Sequence, residues 1–185
     1  LKIIYKYIKM DGFVIRRNIK TQEKIKYIPK SVITVYTDGA CSNNGKPDAR
    51  AGFGVWFGKN DSRNCSESFN GLQTNNRAEL LAIVKALTLL RKDIESGNQI
   101  NIYSDSSYAI RCCTTYGAKC EKKNWTNPNS KNKPIPNLEI VKTAYEFCKD
   151  FTNIKFIHVK AHTGLTDKHS IGNEHADRLA NLAIG

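Results

Sequence analysis

The fold class this sequence predicts is an α/β domain built on a mixed sheet. Three observations carry that expectation. Strand-like and helical runs follow one another in the order β-β-β-α-β-α-α-β-α. The stretch from Asn75 to Leu90 has an apolar stripe at helical spacing, formed by Ala78, Leu81, Ala82, Ala86 and Leu89. Short runs of Val, Ile, Gly and aromatic residues, bounded by polar or glycine-rich segments, read as strands.

The elements can be justified in order. Ile3 to Ile8 and Phe13 to Ile15 flank Asp11-Gly12, a strong hairpin signal. Lys24 to Ile28 alternates like a further strand, and Pro29 ends it. Ser31 to Tyr36 reads as a buried strand, Ala51 to Phe57 as a second and Cys65 to Phe69 as a third. Ile100 to Tyr103 is a short strand that leads to Asp105, and a helix follows over Ser107 to Thr114. Residues 116 to 136 are rich in Lys, Asn and Pro and enclose Trp125. Leu138 to Lys149 is helical, Ile154 to Val159 is the last strand, and Asn173 to Leu182 is the closing helix. No internal repeat is present.

Length and composition narrow the function classes. The 185 residues suffice for one domain with a real core, and 40% are hydrophobic, a globular value. No apolar run approaches the about 20 residues needed to span a bilayer. The opening segment is broken by lysines and does not read as a signal peptide. A formal charge of +12 favours a polyanionic partner. Residues 1 to 31 hold nine basic and two acidic residues, so a basic extension at 1–31 is expected to precede a domain over 32–185. Cys41, Cys65, Cys112, Cys113, Cys120 and Cys148 contain no Cys-x-x-Cys pair. They read as reduced thiols of an intracellular protein, in cytoplasm or nucleus rather than secreted.

Four acidic residues stand in distinctive settings. Asp38 lies in Val-Tyr-Thr-Asp-Gly-Ala, Glu79 in Gln-Thr-Asn-Asn-Arg-Ala-Glu, Asp105 in Tyr-Ser-Asp-Ser, and Asp177 in Gly-Asn-Glu-His-Ala-Asp. An isolated Asp after a strand is usually a turn residue or a helix cap. Four carboxylates gathered together repel one another unless cations neutralise them, and hard cations such as Mg²⁺ prefer oxygen ligands.

In this order, with His162 in Lys-Ala-His-Thr-Gly before the last, these segments resemble the type 1 ribonuclease H family, including the ribonuclease H domains of reverse transcriptases. The resemblance spans about residues 32 to 185 and is closest in wording to eukaryotic and viral members. It implies a ribonuclease H-like fold, a five-stranded mixed sheet flanked by helices with the first strand central. It implies an endoribonuclease that cuts the RNA strand of RNA/DNA hybrids and leaves 5′-phosphate and 3′-hydroxyl ends. It implies two Mg²⁺ ions, replaceable by Mn²⁺. Asp38 would bridge both, Glu79 and Asp105 would complete one site, and Asp177 the other. His162 matches a mobile-loop histidine that aids water activation or product release.

The same resemblance implies the substrate-reading residues. Asn43, Asn44, Asn75 and Asn76 match positions that recognise ribose, with Gln73 contributing through its backbone. Thr74 and Asn137 match members of a pocket for a DNA-strand phosphate, although the usual Arg two residues before that Thr is Leu72 here. Residues 111 to 133 match a basic protrusion, with Tyr116 where an indole is often found. Trp125 is expected to pack against this protrusion rather than touch DNA. Gly164 to Gly172 looks longer than the family's short form. The expected partner is a hybrid duplex, bound by a monomer without membrane attachment. Two other readings are a related integrase or transposase, which usually uses three carboxylates, and a silent binding module, which would have lost them.

Overall fold

The computed structural model describes residues 31–161 and 165–185, together with the backbone of Tyr5–Met10 and Phe13–Asn18. β1 (Tyr5–Met10) and β2 (Phe13–Asn18) pair antiparallel, with Met10 opposite Phe13; the turn expected at Asp11-Gly12 lies outside the described residues. The strand expected at Lys24 to Ile28 lies outside the described residues.

Five further strands make one sheet in the order β5-β4-β3-β6-β7. β3 (Val32–Ser42) is central, as expected. It pairs antiparallel with β4 (Arg50–Trp56), which pairs antiparallel with β5 (Cys65–Ser68). On its other side β3 runs parallel to β6 (Gln99–Ser104), and β6 parallel to β7 (Ile154–His158). The fold is the mixed five-stranded sheet that the sequence predicts.

Helices cover both faces. α1 (Asn75–Leu89) is followed by α2 (Arg91–Glu95), and α3 (Ser107–Cys113) by α4 (Thr115–Lys122). α5 (Leu138–Cys148) and α6 (Lys168–Leu182) complete the chain. α1 packs on β3 with α3 and α5 beside it, while α6 crosses β3 and β4 on the opposite face. The main core lies under α1, where Leu80, Ile83 and Leu87 meet Val35, Val55, Ile100 and Ile102. Each such aliphatic side chain contributes roughly 1.5–3 kcal/mol on burial. The buried face of α1 is wider than the expected stripe: Leu80, Ile83 and Leu87 join Ala78, Ala82 and Ala86, while Leu81 and Leu89 are only partly covered.

Four elements depart from the sequence reading, the first being the short α2, which was not expected after Leu90. β3 does not stop at Tyr36 but continues through Asp38 to Ser42, because Asp38, Ala40 and Ser42 still pair with Gly54, Gly52 and Arg50. α4 forms within the Lys-rich stretch, held by the fully buried Cys120 and by Gly117 pressed on the Tyr145 ring. α6 begins at Lys168, about one turn before the expected Asn173. Asp167 caps it by accepting from the backbone N–H groups of His169 and Ser170 at 2.9 and 3.2 Å. The added residues after Gly164 therefore include a capped helical turn rather than only a longer loop.

The α6 face depends on close approach. A Cβ at Gly54 would collide with the Ala176 carbonyl and with the backbone nitrogen of Ala180. Gly54→Ala should therefore cost roughly 1–3 kcal/mol, because backbone cannot swing aside as a flexible side chain can. Denaturant unfolding checks this, and a midpoint equal to the parent's would show that α6 is not seated as described.

Candidate active site

The site forms where the sheet opens. The β3–β6 ladder ends at Thr37 opposite Ser104. One residue further, Asp38 and Asp105 stand at the carboxyl end of the parallel pair, the usual place for a site in an α/β sheet. Glu79 arrives from α1, and Asp177 from α6 on the other face. One oxygen from each of Asp38, Glu79 and Asp105 lies within 4.8 Å of the others. Asp177 stands outside that group of three but near enough for its charge to raise the Asp38 carboxyl. The structure thus brings together all four predicted carboxylates.

Asp38 and Glu79 are buried, at 5% and 6% exposure. Burial pushes both carboxyls well above the usual carboxylate range. The neighbouring carboxylates add to this: Asp105 and Asp177 act on Asp38, and Asp38 and Asp105 on Glu79. The Gly39 N–H donates to Asp38 Oδ1 at 2.8 Å and offsets only part of the effect. Glu79 Oε2 is buried with no hydrogen-bond partner. An all-oxygen donor set, crowded negative charge and an orphaned buried carboxylate oxygen fit a hard divalent cation.

A polar shell orients these groups, with Asn173 buried and His158 and Asn181 exposed. Asn173 is 4% exposed and donates through Nδ2 to Asp105 Oδ2 at 3.4 Å. Its Oδ1 is buried without a partner. His158 Nε2 lies 2.9 Å from the Asp105 carbonyl, and Asn181 Nδ2 donates to Asp177 Oδ1 at 2.9 Å. Sequence reasoning used Asn173 only as part of Gly-Asn-Glu-His-Ala-Asp. Its position four residues before Asp177 puts both on one helix face, a signal that was available.

The predicted reading residues divide into two places. Asn44 Oδ1 accepts from the Asn75 backbone N–H at 3.3 Å, which ties the turn after β3 to the start of α1. Asn75 Nδ2 sits 3.5 Å from Glu79 Oε1, so this amide borders the carboxylates. Asn76 is exposed in the first turn of α1. Asn43 adopts a left-handed conformation and donates to Asp48 Oδ2 at 2.7 Å. Thr74 is the α1 cap and accepts from the Arg77 N–H at 3.4 Å. Gln73 is a structural staple: its side chain accepts from the Ala51 N–H and donates to the Phe69 and Gly71 carbonyls. Leu72, in place of the usual Arg, is 66% exposed.

Tyr116 and Asn137 lie elsewhere. Tyr116 lines a cleft of about 610 Å³ with Tyr108, Arg111, Lys119 and Lys133. Asn137 donates to the Tyr108 hydroxyl at 3.1 Å beside it. Trp125 packs edge-on against Tyr145 of α5, with Lys142 5.7 Å from its ring centroid. Its ring contacts are thus with α5, on which the end of the basic segment rests. His162 lies outside the described residues.

The raised carboxyls generate a pH prediction. A buried acid that holds its proton more tightly folded than unfolded stabilises the protein below its folded pKa. That stability is lost as pH rises from the ordinary carboxylate range near 4 through about 8 for Asp38 and higher for Glu79. The cation-free protein should therefore melt at progressively lower temperature between pH 5 and pH 9, and millimolar Mg²⁺ should flatten the dependence. A melting temperature that rises over this window without cation would contradict the burial argument.

The RNase H family model matches residues 30–184. Ribonuclease H of Schizosaccharomyces pombe is 41% identical over 147 residues, covering 79% of this chain and 50% of the relative. Rat ribonuclease H1 is 34% identical, covering 86% of this chain and 52% of its own. Ribonuclease H of Methylobacillus flagellatus is 31% identical, covering 83% of this chain and 92% of its own. The chain thus spans about half the length of the eukaryotic relatives it matches. Among solved structures, the PFV RNase H domain superposes with a TM-score of 0.61 at 23% identity, over 82% of this chain and 93% of that one. LC11-RNase H1, solved in complex with an RNA/DNA hybrid, gives 0.53 at 23% identity, over 82% and 96%. With the family model spanning nearly the whole chain beyond its basic N-terminus, and with four carboxylates converging at the opening between β3 and β6, this chain belongs to the RNase H family.

Proposed function

We propose that this chain is an endoribonuclease that hydrolyses the RNA strand of RNA/DNA hybrids and leaves 5′-phosphate and 3′-hydroxyl ends. The observation that carries the reading is the buried Asp38–Glu79–Asp105 cluster with its unpartnered Glu79 oxygen. Relatives named ribonuclease H, and a fold shared with a protein solved on a hybrid, support the substrate class.

Asp38, at the centre, would hold two divalent cations, Mg²⁺ or in its place Mn²⁺. Glu79 and Asp105 would complete one set of ligands and Asp177 the other. When bound, such a pair clamps a scissile phosphodiester and stabilises the attacking and leaving oxygens of an in-line displacement. The chain's own residues supply the rest. Asn173 holds the Asp105 carboxylate, and Asn181 holds that of Asp177. Asn44, Asn75 and Asn76, at the lip of the cluster, are placed to read the 2′-hydroxyl that separates RNA from DNA. Asn43 and the Gln73 backbone border the same turn. Arg111, Lys119 and Lys133 give the cleft beside Tyr116 the positive charge that a DNA-strand backbone needs. Thr74, at the start of α1, and Asn137, at the start of α5, would each contribute to a phosphate pocket that Leu72 weakens. His162 is assigned to water activation or product release. Free thiols at all six cysteines support an intracellular setting for a monomeric enzyme, with residues 1–31 as a separate basic extension.

The test is cleavage of an end-labelled hybrid with Mg²⁺. Internal RNA cuts are expected, and double-stranded DNA should be spared. Asp105→Asn should lower kcat by on the order of 100-fold or more, since cation stabilisation of the displacement is worth several kcal/mol, while hybrid binding survives. Near-parental turnover by Asp105→Asn would sink the assignment.

A further inference from the structure

His169 belongs to the added segment after Gly164 and to none of the roles described so far. It sits in the first turn of α6, half-buried against the sheet. Its ring stacks on Tyr103, with centroids 4.2 Å apart and planes 14° from parallel. Its Nδ1 lies 3.1 Å from the Tyr36 hydroxyl. Its Nε2 is 3.5 Å from the Tyr103 hydroxyl, a distance at the outer limit that belongs to the stacking rather than to a hydrogen bond. Tyr36 and Tyr103 also meet each other, with centroids 5.2 Å apart. Among the described residues, the groups placed against His169 include two hydroxyl-bearing rings from the sheet and Asp167, which accepts from its backbone N–H and caps its helix.

The placement of these rings relates them to the carboxylates. Tyr36 and Tyr103 are register partners on the adjacent parallel strands β3 and β6. Tyr36 stands two residues before Asp38, and Tyr103 two before Asp105. Residues two apart share a face of a strand, so the trio lies on the α6 face one side-chain step from the cluster. The ladder ends one residue beyond, at Thr37 and Ser104. The two strands and α6 are thus joined here just before they part to form the opening. Gly172 presses on the Tyr36 ring, and Asn173, the next residue, reaches Asp105. From His169 to Asp177 the helix rises only about 12 Å. A shift of its first turn is passed directly to Asn173 and Asp177.

We propose that His169 is a positioning residue: by docking the first turn of α6 on Tyr36 and Tyr103, it sets the placement of Asn173 and Asp177 against Asp38 and Asp105, and so the affinity of the site for divalent cation. The inference rests on the cation-binding reading of the cluster. The imidazole suits the task because it offers both a flat face for Tyr103 and an in-plane nitrogen for the Tyr36 hydroxyl, which a phenyl ring or an aliphatic chain does not.

The experiment is calorimetric titration of the substrate-free chain with Mg²⁺. The variants are His169→Phe, which keeps a ring but loses the nitrogen, Tyr36→Phe, which loses only the hydroxyl, and the double variant. Asp105→Asn serves as the reference for a broken site. Each single variant should weaken Mg²⁺ binding by on the order of tenfold, as outer groups that orient ligands do. The double variant should be no weaker than either single one, because both remove the same contact. The hybrid KM at saturating Mg²⁺ should stay at the parental value. Unchanged Mg²⁺ affinity in both single variants, whatever their melting temperatures, overturns the positioning role. An affinity that Asp105→Asn leaves untouched would overturn the cation reading and this inference together.

Discussion

Negative charge that the fold forces out of water governs this molecule. Asp38 sits in the central strand and Glu79 in the best-packed helix, and neither can retreat to solvent without dismantling the core around Val35, Leu80 and Ile83. Charges in such surroundings either take up protons or are matched by cations. The raised carboxyls of Asp38 and Glu79 are the first outcome. The divalent-cation site is the second, and the architecture around the cluster favours it.

That architecture is a mixed sheet with helices on both faces. The antiparallel β3–β4 pair continues past the point where the parallel β3–β6 pair stops. The resulting opening lets α1 contribute from one face and α6 from the other. Close backbone approach makes this possible: Gly39 lies against Ala78 and Glu79 of α1, and Gly54 against Ala176 and Ala180 of α6. Any larger residue at either position would push one helix, and its carboxylate, away from the centre.

Much of this was legible in the sequence, for identifiable reasons. α1 announces itself through alanines and leucines at helical spacing, and the four acidic segments keep the order of a known family. The strand after Tyr36 was misjudged because Thr-Asp-Gly-Ala has the composition of a turn. What holds it extended is pairing with Gly52 and Gly54, which lie at least a dozen residues away in the chain. α4 was missed because it is short, polar on average and lies in a stretch rich in Lys, Asn and Pro, and its hold on the domain comes from the burial of Cys120 and from Gly117 against the Tyr145 ring. The early start of α6 left a local trace in Asp167, a good cap, which the loop reading overlooked. The contact of His169 with Tyr36 spans 133 residues and leaves no local trace at all.

The central claim is that the buried, crowded pair of Asp38 and Glu79 holds protons more tightly than ordinary carboxylates do, and that a divalent cation displaces them. Calorimetry of Mg²⁺ binding at pH 7, repeated in buffers of different ionisation enthalpy, counts those protons directly. The account predicts proton release on binding, and a smaller release in Glu79→Gln. Mg²⁺ binding with no proton release in any buffer would contradict it.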